Sequence, residues 1–183
     1  MVHAESSTFA AGIIKAQAYA QVLEQAAALM DGQRNWAQLT YARSNLSNVA
    51  SLLYHAYHSL PAPSNAVNWC GFYVLDNSVP ARDQLILGPF QGHVACQTIK
   101  FGRGVCGTAA ATKTTQLVPD VEQFPGHIAC DGASKSEIVV PILKDEHCVA
   151  IIDVDCAEVE GFDEEDKKYL EDVAKLLAEG CDF

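Results

Sequence analysis

The sequence lacks the short spacing by which paired cysteines commonly bind zinc or exchange electrons. It contains seven cysteines but no Cys-x-x-Cys pair, so the usual zinc-ribbon and thioredoxin-type signatures are absent. The count is odd and the spacing is irregular. A reducing compartment would keep such thiols free unless they pass through cycles of oxidation.

Long apolar runs are also missing. No stretch approaches the roughly 20 apolar residues that a membrane-spanning helix needs. The first residues, MVHAESSTFAAG, have no basic patch followed by an apolar stretch, so they do not resemble a secretory signal. The sequence therefore predicts a cytoplasmic protein without a membrane partner.

Basic residues are scarce. The chain has 12 Lys and Arg against 23 Asp and Glu, for a net charge of −11. The excess lies in residues 117–183, which carry five basic and eighteen acidic residues. Because an acidic surface repels phosphate backbones, nucleic acid is not expected as a partner.

The order of helical and strand patterns predicts an α+β fold. Apolar residues at helical spacing predict helices over 9–31 and 41–60, with a turn at DGQRNW between them. Short β-rich runs follow, interrupted by one helix at GVCGTAAATK; the runs are NWCGFYVL, QLILGPF, TTQLVPDV, SEIVVPIL and HCVAIIDVD. A closing helix over 162–180 begins with Asp163 as N-cap and ends with Gly180 as C-terminal cap. We expect the helices to cover one face of a largely antiparallel sheet.

Two near-repeats, GHVAC at 92–96 and GHIAC at 126–130, leave three interpretations open. Two His-x2-Cys units could bind zinc, although the usual zinc modules use other spacings. A structural disulfide between Cys96 and Cys130 is the second possibility, and redox chemistry is the third. Cys106 in GRGVCGTA lies at a predicted helix start, where backbone N–H groups favour a thiolate. His127 is close enough in sequence to assist Cys130.

Three acidic residues and two aromatic residues stand in strand-like runs. Asp153 and Asp155 alternate in AIIDVDC and should share one face of a strand, and Glu137 begins SEIVVPIL. Burial of such a carboxyl group raises its pKa and prepares it to donate a proton near neutral pH. Trp69 and Tyr73 also share one strand face, where they line either a small pocket or the core.

Several stretches in a fixed order resemble one protein family. They are GRGVCGTAAAT, TQLVPDV, FPGHIACDGASKSEIVVPI, and IIDVD before FDEED, and the resemblance runs from about residue 68 to the C-terminus. Together they resemble the free methionine-(R)-sulfoxide reductases, which are compact GAF-domain enzymes. The resemblance implies a GAF-like α+β fold with about six antiparallel strands flanked by N-terminal and C-terminal helices. It also implies a single domain over 1–183, helical at 1–60 and with the sheet core and closing helix at 68–183.

The resemblance implies roles for three cysteines. Cys130 matches the thiol that attacks the substrate sulfur. Cys96 matches the resolving thiol, which then forms an intramolecular disulfide with it. Cys106 is a second candidate for either role.

Five further residues are implied to bind the substrate. Glu137, Asp153 and Asp155 would bind and polarise it. Trp69 and Tyr73 would pack around its methyl end.

The implied activity is reduction of free L-methionine (R)-S-oxide to L-methionine through a cysteine sulfenic acid and a disulfide. Thioredoxin would recycle the disulfide, and no metal, flavin or nucleotide cofactor is required. GAF domains often dimerise through helices, so the resemblance is compatible with a homodimer. Two alternatives remain: a non-catalytic GAF sensor of a small molecule, which would share the fold, and a zinc-binding structural protein.

Overall fold

The computed structural model describes residues 8–32, 44–81, 83–128 and 132–183. The described chain contains six strands: β1 (Val67–Leu75), β2 (Gln84–Gly92), β3 (Thr98–Lys100), β4 (Gln116–Val118), β5 (Ser136–Lys144) and β6 (His147–Cys156). They form one antiparallel sheet in the order β3-β2-β1-β6-β5-β4. Its α-helices are α1 (Lys15–Met30), α2 (Ser44–His58), α3 (Gly104–Thr112) and α4 (Glu164–Gly180). This confirms the predicted α+β fold class.

The two faces of the sheet carry different layers, because side chains alternate along each strand. Helices α1, α2 and α4 pack on one face and share its hydrophobic core with Phe72 and Ile152. Helix α3 packs on the opposite face, where Cys106 joins Tyr73 and Ile151 in a second hydrophobic cluster. The expectation that helices cover one face therefore holds for three of the four, and α3 is the exception that encloses the site described below.

The predicted elements are present; the helices are shorter than predicted, whereas four of the five predicted strands are one or two residues longer. The first helix begins at Lys15 instead of residue 9, and the second ends at His58 instead of residue 60. The predicted start of the second helix, at residue 41, lies outside the described residues, as does most of the predicted turn DGQRNW. Strand β3 was not predicted, because three residues with two exposed side chains carry no strand pattern. Among the helices in the described part of the chain, none has both the length and the apolar character needed to cross a membrane.

The two ends of α4 differ in how well the sequence predicted them. Asp163 is the N-cap as predicted, and its carboxylate accepts hydrogen bonds from the backbone N–H groups of Glu165 and Asp166. The predicted role of Gly180 as cap is wrong, because Gly180 is the last helical residue and Cys181 is the C-cap. A Cβ atom at Gly180 would lie 2.9 Å from the Met30 sulfur, so the glycine allows α4 to approach α1 closely.

A buried polar network ties the N-terminal helices to α4. The carboxylate of Asp166 is fully buried and accepts a hydrogen bond from the Tyr19 hydroxyl at 2.8 Å. Lys15 forms an ion pair with the same carboxylate, and the Tyr57 hydroxyl bonds the Tyr19 hydroxyl. Because α1, α2 and α4 each contribute a member, the network fixes their mutual positions.

We expect Asp166→Ala to lower the free energy of unfolding by about 3–5 kcal/mol, because it removes the buried acceptor of the Tyr19 hydroxyl and leaves the Lys15 ammonium paired with the more exposed Asp163. Urea denaturation followed by circular dichroism measures the change. The control is Asp172→Ala on the same helix, which removes only an exposed ion pair with Lys175 and should change stability by less than about 1 kcal/mol. Equal losses in the two variants would contradict the importance of the network.

Candidate functional site

The floor of the candidate site consists of three carboxyl groups on neighbouring strands. Glu137 on β5 lies directly opposite Asp155 on β6 in the antiparallel register. Asp153 lies two residues before Asp155, so the two share one face of β6, as the sequence predicted. This is the face on which α3 packs. Glu137 and Asp153 are each only 6% exposed, whereas Asp155 is half-buried.

A cavity of about 410 Å³ opens above these carboxyl groups. Its walls come from the first turn of α3, from β3 and the turn after it, and from the loops on either side of residues 129–131. The lining includes all three acids, Cys96 and Cys106, together with Lys100, Arg103, Gly104, Val105, His127, Ile128 and Ser134. The structure thus brings five of the eight predicted site residues into one cavity.

Glu137 is a strongly perturbed acid of the floor. The Cys106 thiol donates a hydrogen bond to its Oε1 at 3.5 Å, and the His127 Nε2 lies 3.9 Å from its Oε2. Burial, reinforced by the negative charges of Asp153 and Asp155, raises the pKa of Glu137 well above its usual range. A raised pKa favours the protonated form of the carboxyl group, which suits it to donate a proton to a bound molecule.

Asp153 supplies an acceptor that has no partner among the described residues. Its Oδ1 is buried and receives no hydrogen bond there. Burial also raises the pKa of Asp153 above its ordinary value. Since a buried acceptor without a donor is costly, the atom is suited to receive a donor or a cation from a bound molecule.

The surroundings of Cys106 oppose the thiolate that its position at a helix start favours. Cys106 is the third residue of α3, so it does lie at a helix N-terminus. However, its side chain is buried beside Asp153 and Glu137, and burial together with their charges raises its thiol pKa well above the ordinary value. Desolvation and like-charge repulsion outweigh the favourable helix terminus, and Cys106 is a protonated thiol that donates to Glu137.

Cys96 is engaged in a disulfide, and it lies half-buried in the loop between β2 and β3. The other cysteines in the described part of the chain are not disulfide-bonded: Cys70, Cys106, Cys148, Cys156 and Cys181. Cys130 lies outside the described residues. A disulfide sulfur is not the thiolate that zinc requires, so Cys96 in this state does not support the His-x2-Cys zinc hypothesis.

Trp69 and Tyr73 belong to the hydrophobic cluster that the cavity residues Val105 and Cys106 also join. The Trp69 ring stacks on Tyr73 with centroids 5.9 Å apart, and its Nε1 donates to the backbone carbonyl of His93 at 3.1 Å. Both side chains are at most 2% exposed. They support the site from within the core, and their contact with a substrate methyl group stays a prediction.

The basic wall of the cavity, formed by Lys100 and Arg103, was not predicted from the sequence. Lys100 ends β3, and Arg103 is the N-cap residue of α3. The close approach that brings them to the site depends on Gly107, where a Cβ atom would lie 2.3 Å from the Lys100 carbonyl oxygen. The cavity therefore has one wall with positive groups and helix N–H groups, and a floor of carboxyl groups. The only signal in the sequence was the position of Arg103 in GRGVCG.

Some cavity residues are also arranged as metal ligands. The Cys106 sulfur and one carboxylate oxygen each from Glu137 and Asp153 lie within 4.8 Å of one another. Sulfur and carboxylate oxygen are both ligands that zinc accepts. This set differs from the two His-x2-Cys units that the sequence suggested.

Comparison with known proteins gives consistent matches along the chain. The GAF domain family matches residues 17–180. The free methionine-R-sulfoxide reductase of Saccharomyces cerevisiae is 51% identical over 99% of this chain and 95% of its own length. The Escherichia coli protein of the same name is 38% identical over 89% of this chain and 88% of its own length. The crystal structure of the Neisseria meningitidis free methionine-R-sulfoxide reductase in complex with its substrate superposes with a TM-score of 0.81, at 39% identity over 94% of this chain and 93% of that one.

Proposed function

Because the chain belongs to the GAF domain family and, within it, to the free methionine-R-sulfoxide reductases, we propose that it reduces free L-methionine (R)-S-oxide to L-methionine with electrons from thiols. One observation carries the proposal: Cys96, engaged in a disulfide, and three acidic side chains line the same cavity. A disulfide at a substrate-sized cavity is what a sulfoxide reductase would contain after a turnover.

The charges of the cavity suit a free amino acid. An α-ammonium group would bind at the carboxyl floor, where Asp153 Oδ1 needs a donor. An α-carboxylate would bind at the wall formed by Lys100, Arg103 and the first turn of α3. The first N–H groups of a helix have no intrahelical partner and attract anions. A peptide-bound methionine has neither charge, so this arrangement favours the free amino acid.

The reaction then takes two steps within the protein. Glu137 donates a proton to the sulfoxide oxygen and makes the sulfur electrophilic. The Cys130 thiolate attacks, the oxygen moves from the substrate to the cysteine sulfur, and methionine leaves behind a sulfenic acid. The Cys96 thiol attacks this sulfenic acid, which forms the Cys96–Cys130 disulfide and releases water. The pairing is supported by the cysteines of the described chain, since Cys96 is disulfide-bonded and the five others described there are not.

An external dithiol completes the cycle by returning two electrons and two protons to the disulfide. Thioredoxin is the donor that we propose, and its use fits a cytoplasmic location, where thiols are kept reduced. The homodimer suggested by the family resemblance remains a separate hypothesis, testable by analytical ultracentrifugation.

An assay on separated diastereomers tests the proposed function. Free methionine (R)-sulfoxide and (S)-sulfoxide are incubated with the protein and dithiothreitol, and methionine is measured by chromatography. We expect methionine from the free R form and little or none from the S form or from N-acetyl-methionine (R)-sulfoxide, which lacks the ammonium group. Equal turnover of the free and acetylated substrates would contradict the proposed recognition, and no turnover at all would contradict the function.

A further inference from the structure

The cluster of Cys106, Glu137 and Asp153 matches the geometry of a zinc site. Tetrahedral zinc binds sulfur at about 2.3 Å and carboxylate oxygen at about 2.1 Å, so two such ligands lie about 3.6 Å apart. The Cys106 sulfur lies 3.5 Å from the Glu137 Oε1. Asp153 brings its carboxylate within 4.8 Å of both, so the three groups surround a point that one ion could occupy.

A second observation points to a cation. The Asp153 side chain is only 6% exposed, and its Oδ1 has no hydrogen-bond partner among the residues that the structure describes. An unpartnered carboxylate oxygen at a solvent-connected cavity is an available metal ligand. The His127 imidazole stands beside the cluster, with its Nε2 at 3.9 Å from the Glu137 Oε2, and it could take the fourth tetrahedral position after a small movement.

From these observations we propose that Cys106, Glu137 and Asp153 form a zinc-binding site, and that zinc bound there inhibits the enzyme by excluding the substrate. Binding displaces the protons of the Cys106 thiol and of the Glu137 carboxyl group to solvent, and no electron is transferred. The ion occupies the position at the carboxyl floor that the substrate ammonium would otherwise take, so the two exclude each other. The inhibition rests on the proposed function, whereas the binding does not.

The site does not depend on the oxidation state of the Cys96 disulfide. Cys106 is a free thiol in the form in which Cys96 is engaged in a disulfide. Zinc binding can therefore be measured on the oxidised protein, without a dithiol that would itself bind the metal. This separates the binding measurement from any assay of turnover.

Calorimetric titration of the oxidised protein with zinc chloride tests the site. We expect one zinc ion to bind per chain. Binding should be more than about 10-fold weaker in Cys106→Ser and in Asp153→Asn. The apparent affinity for zinc should also fall when free methionine is present. The control is Cys156→Ser, which should bind like the original protein. The Cys156 sulfur contacts the Pro63 carbonyl and the Glu158 N–H, and a serine hydroxyl can replace both contacts. Cobalt(II) gives a second readout, since a sulfur-to-cobalt absorption band should appear and be lost in Cys106→Ser alone.

Two results would overturn the proposal. One is the absence of zinc binding at micromolar concentrations, and the other is unchanged binding in Cys106→Ser. Inhibition is measured in a single turnover of reduced protein without free dithiol. If zinc binds but does not lower methionine formation there, or if a chelator does not restore it, the inhibitory part is wrong. A protein that binds zinc as expected but never reduces the sulfoxide would instead refute the proposed function.

Discussion

The Cys130→Ser variant is expected to lose turnover of free methionine (R)-sulfoxide by about 10⁴-fold or more, because a serine hydroxyl cannot replace a thiolate as the nucleophile. No other thiol should substitute for it. Among the described cavity-lining residues, Cys96 is the proposed resolving thiol, and burial together with the neighbouring carboxyl groups raises the pKa of the Cys106 thiol. Substrate binding should persist, since the charged groups that hold the amino acid are unchanged.

Three measurements make this prediction specific to the nucleophile. Initial rates with dithiothreitol give turnover, calorimetry with methionine gives binding, and thermal unfolding reports on the fold. The Cys156→Ser variant is the matched control and should keep the original rate within about twofold, because Cys156 lies in the core on the helix-covered face. If Cys130→Ser retained more than a tenth of the activity, Cys130 would not be the attacking thiol.

The Glu137→Gln variant should reduce kcat by about 10²–10⁴-fold, the usual contribution of a positioned general acid. Glutamine has almost the shape of a protonated glutamic acid and keeps a hydrogen-bond donor, but it cannot release a proton. Because burial and the charges of Asp153 and Asp155 raise the pKa of Glu137, the replacement mimics the neutral form that this environment favours. We therefore expect stability and methionine affinity to change little while turnover falls.

Steady-state kinetics of Glu137→Gln and of a surface variant separate this role from a general effect of charge. Glu158→Gln removes an acid whose side chain is 56% exposed and paired with Lys135, and its kcat should stay within about twofold of the original. A Glu137→Gln enzyme with normal kcat and a raised KM would show that Glu137 binds the substrate without donating a proton.

The acidic floor of the site could be predicted from the sequence because it depends on local periodicity. Asp153 and Asp155 alternate along one strand, and a strand with that spacing must place both on the same face. The pairing of Glu137 with Asp155 was not determined by spacing, since it depends on the register between β5 and β6. Only the family resemblance implies that Glu137 shares one substrate site with Asp153 and Asp155.

The behaviour of Cys106 could not be predicted from its neighbours in sequence. Its position at a helix start is local and favours a thiolate, whereas its burial against Asp153 and Glu137 arises only when α3 packs on the sheet. The same holds for Lys100, whose approach to the site depends on the absence of a side chain at Gly107. Gly180 was misinterpreted for a related reason, because its contact with Met30 joins two helices that are far apart in sequence.

A single-turnover experiment tests most directly whether Cys96 and Cys130 exchange electrons with the substrate at this cavity. Fully reduced protein is mixed with an excess of free methionine (R)-sulfoxide without any external thiol, then alkylated, and its peptides are mapped by mass spectrometry. We predict one methionine per chain together with a Cys96–Cys130 disulfide, and from Cys96→Ser one methionine without that disulfide. Formation of methionine while both Cys96 and Cys130 remain open to alkylation would contradict the account.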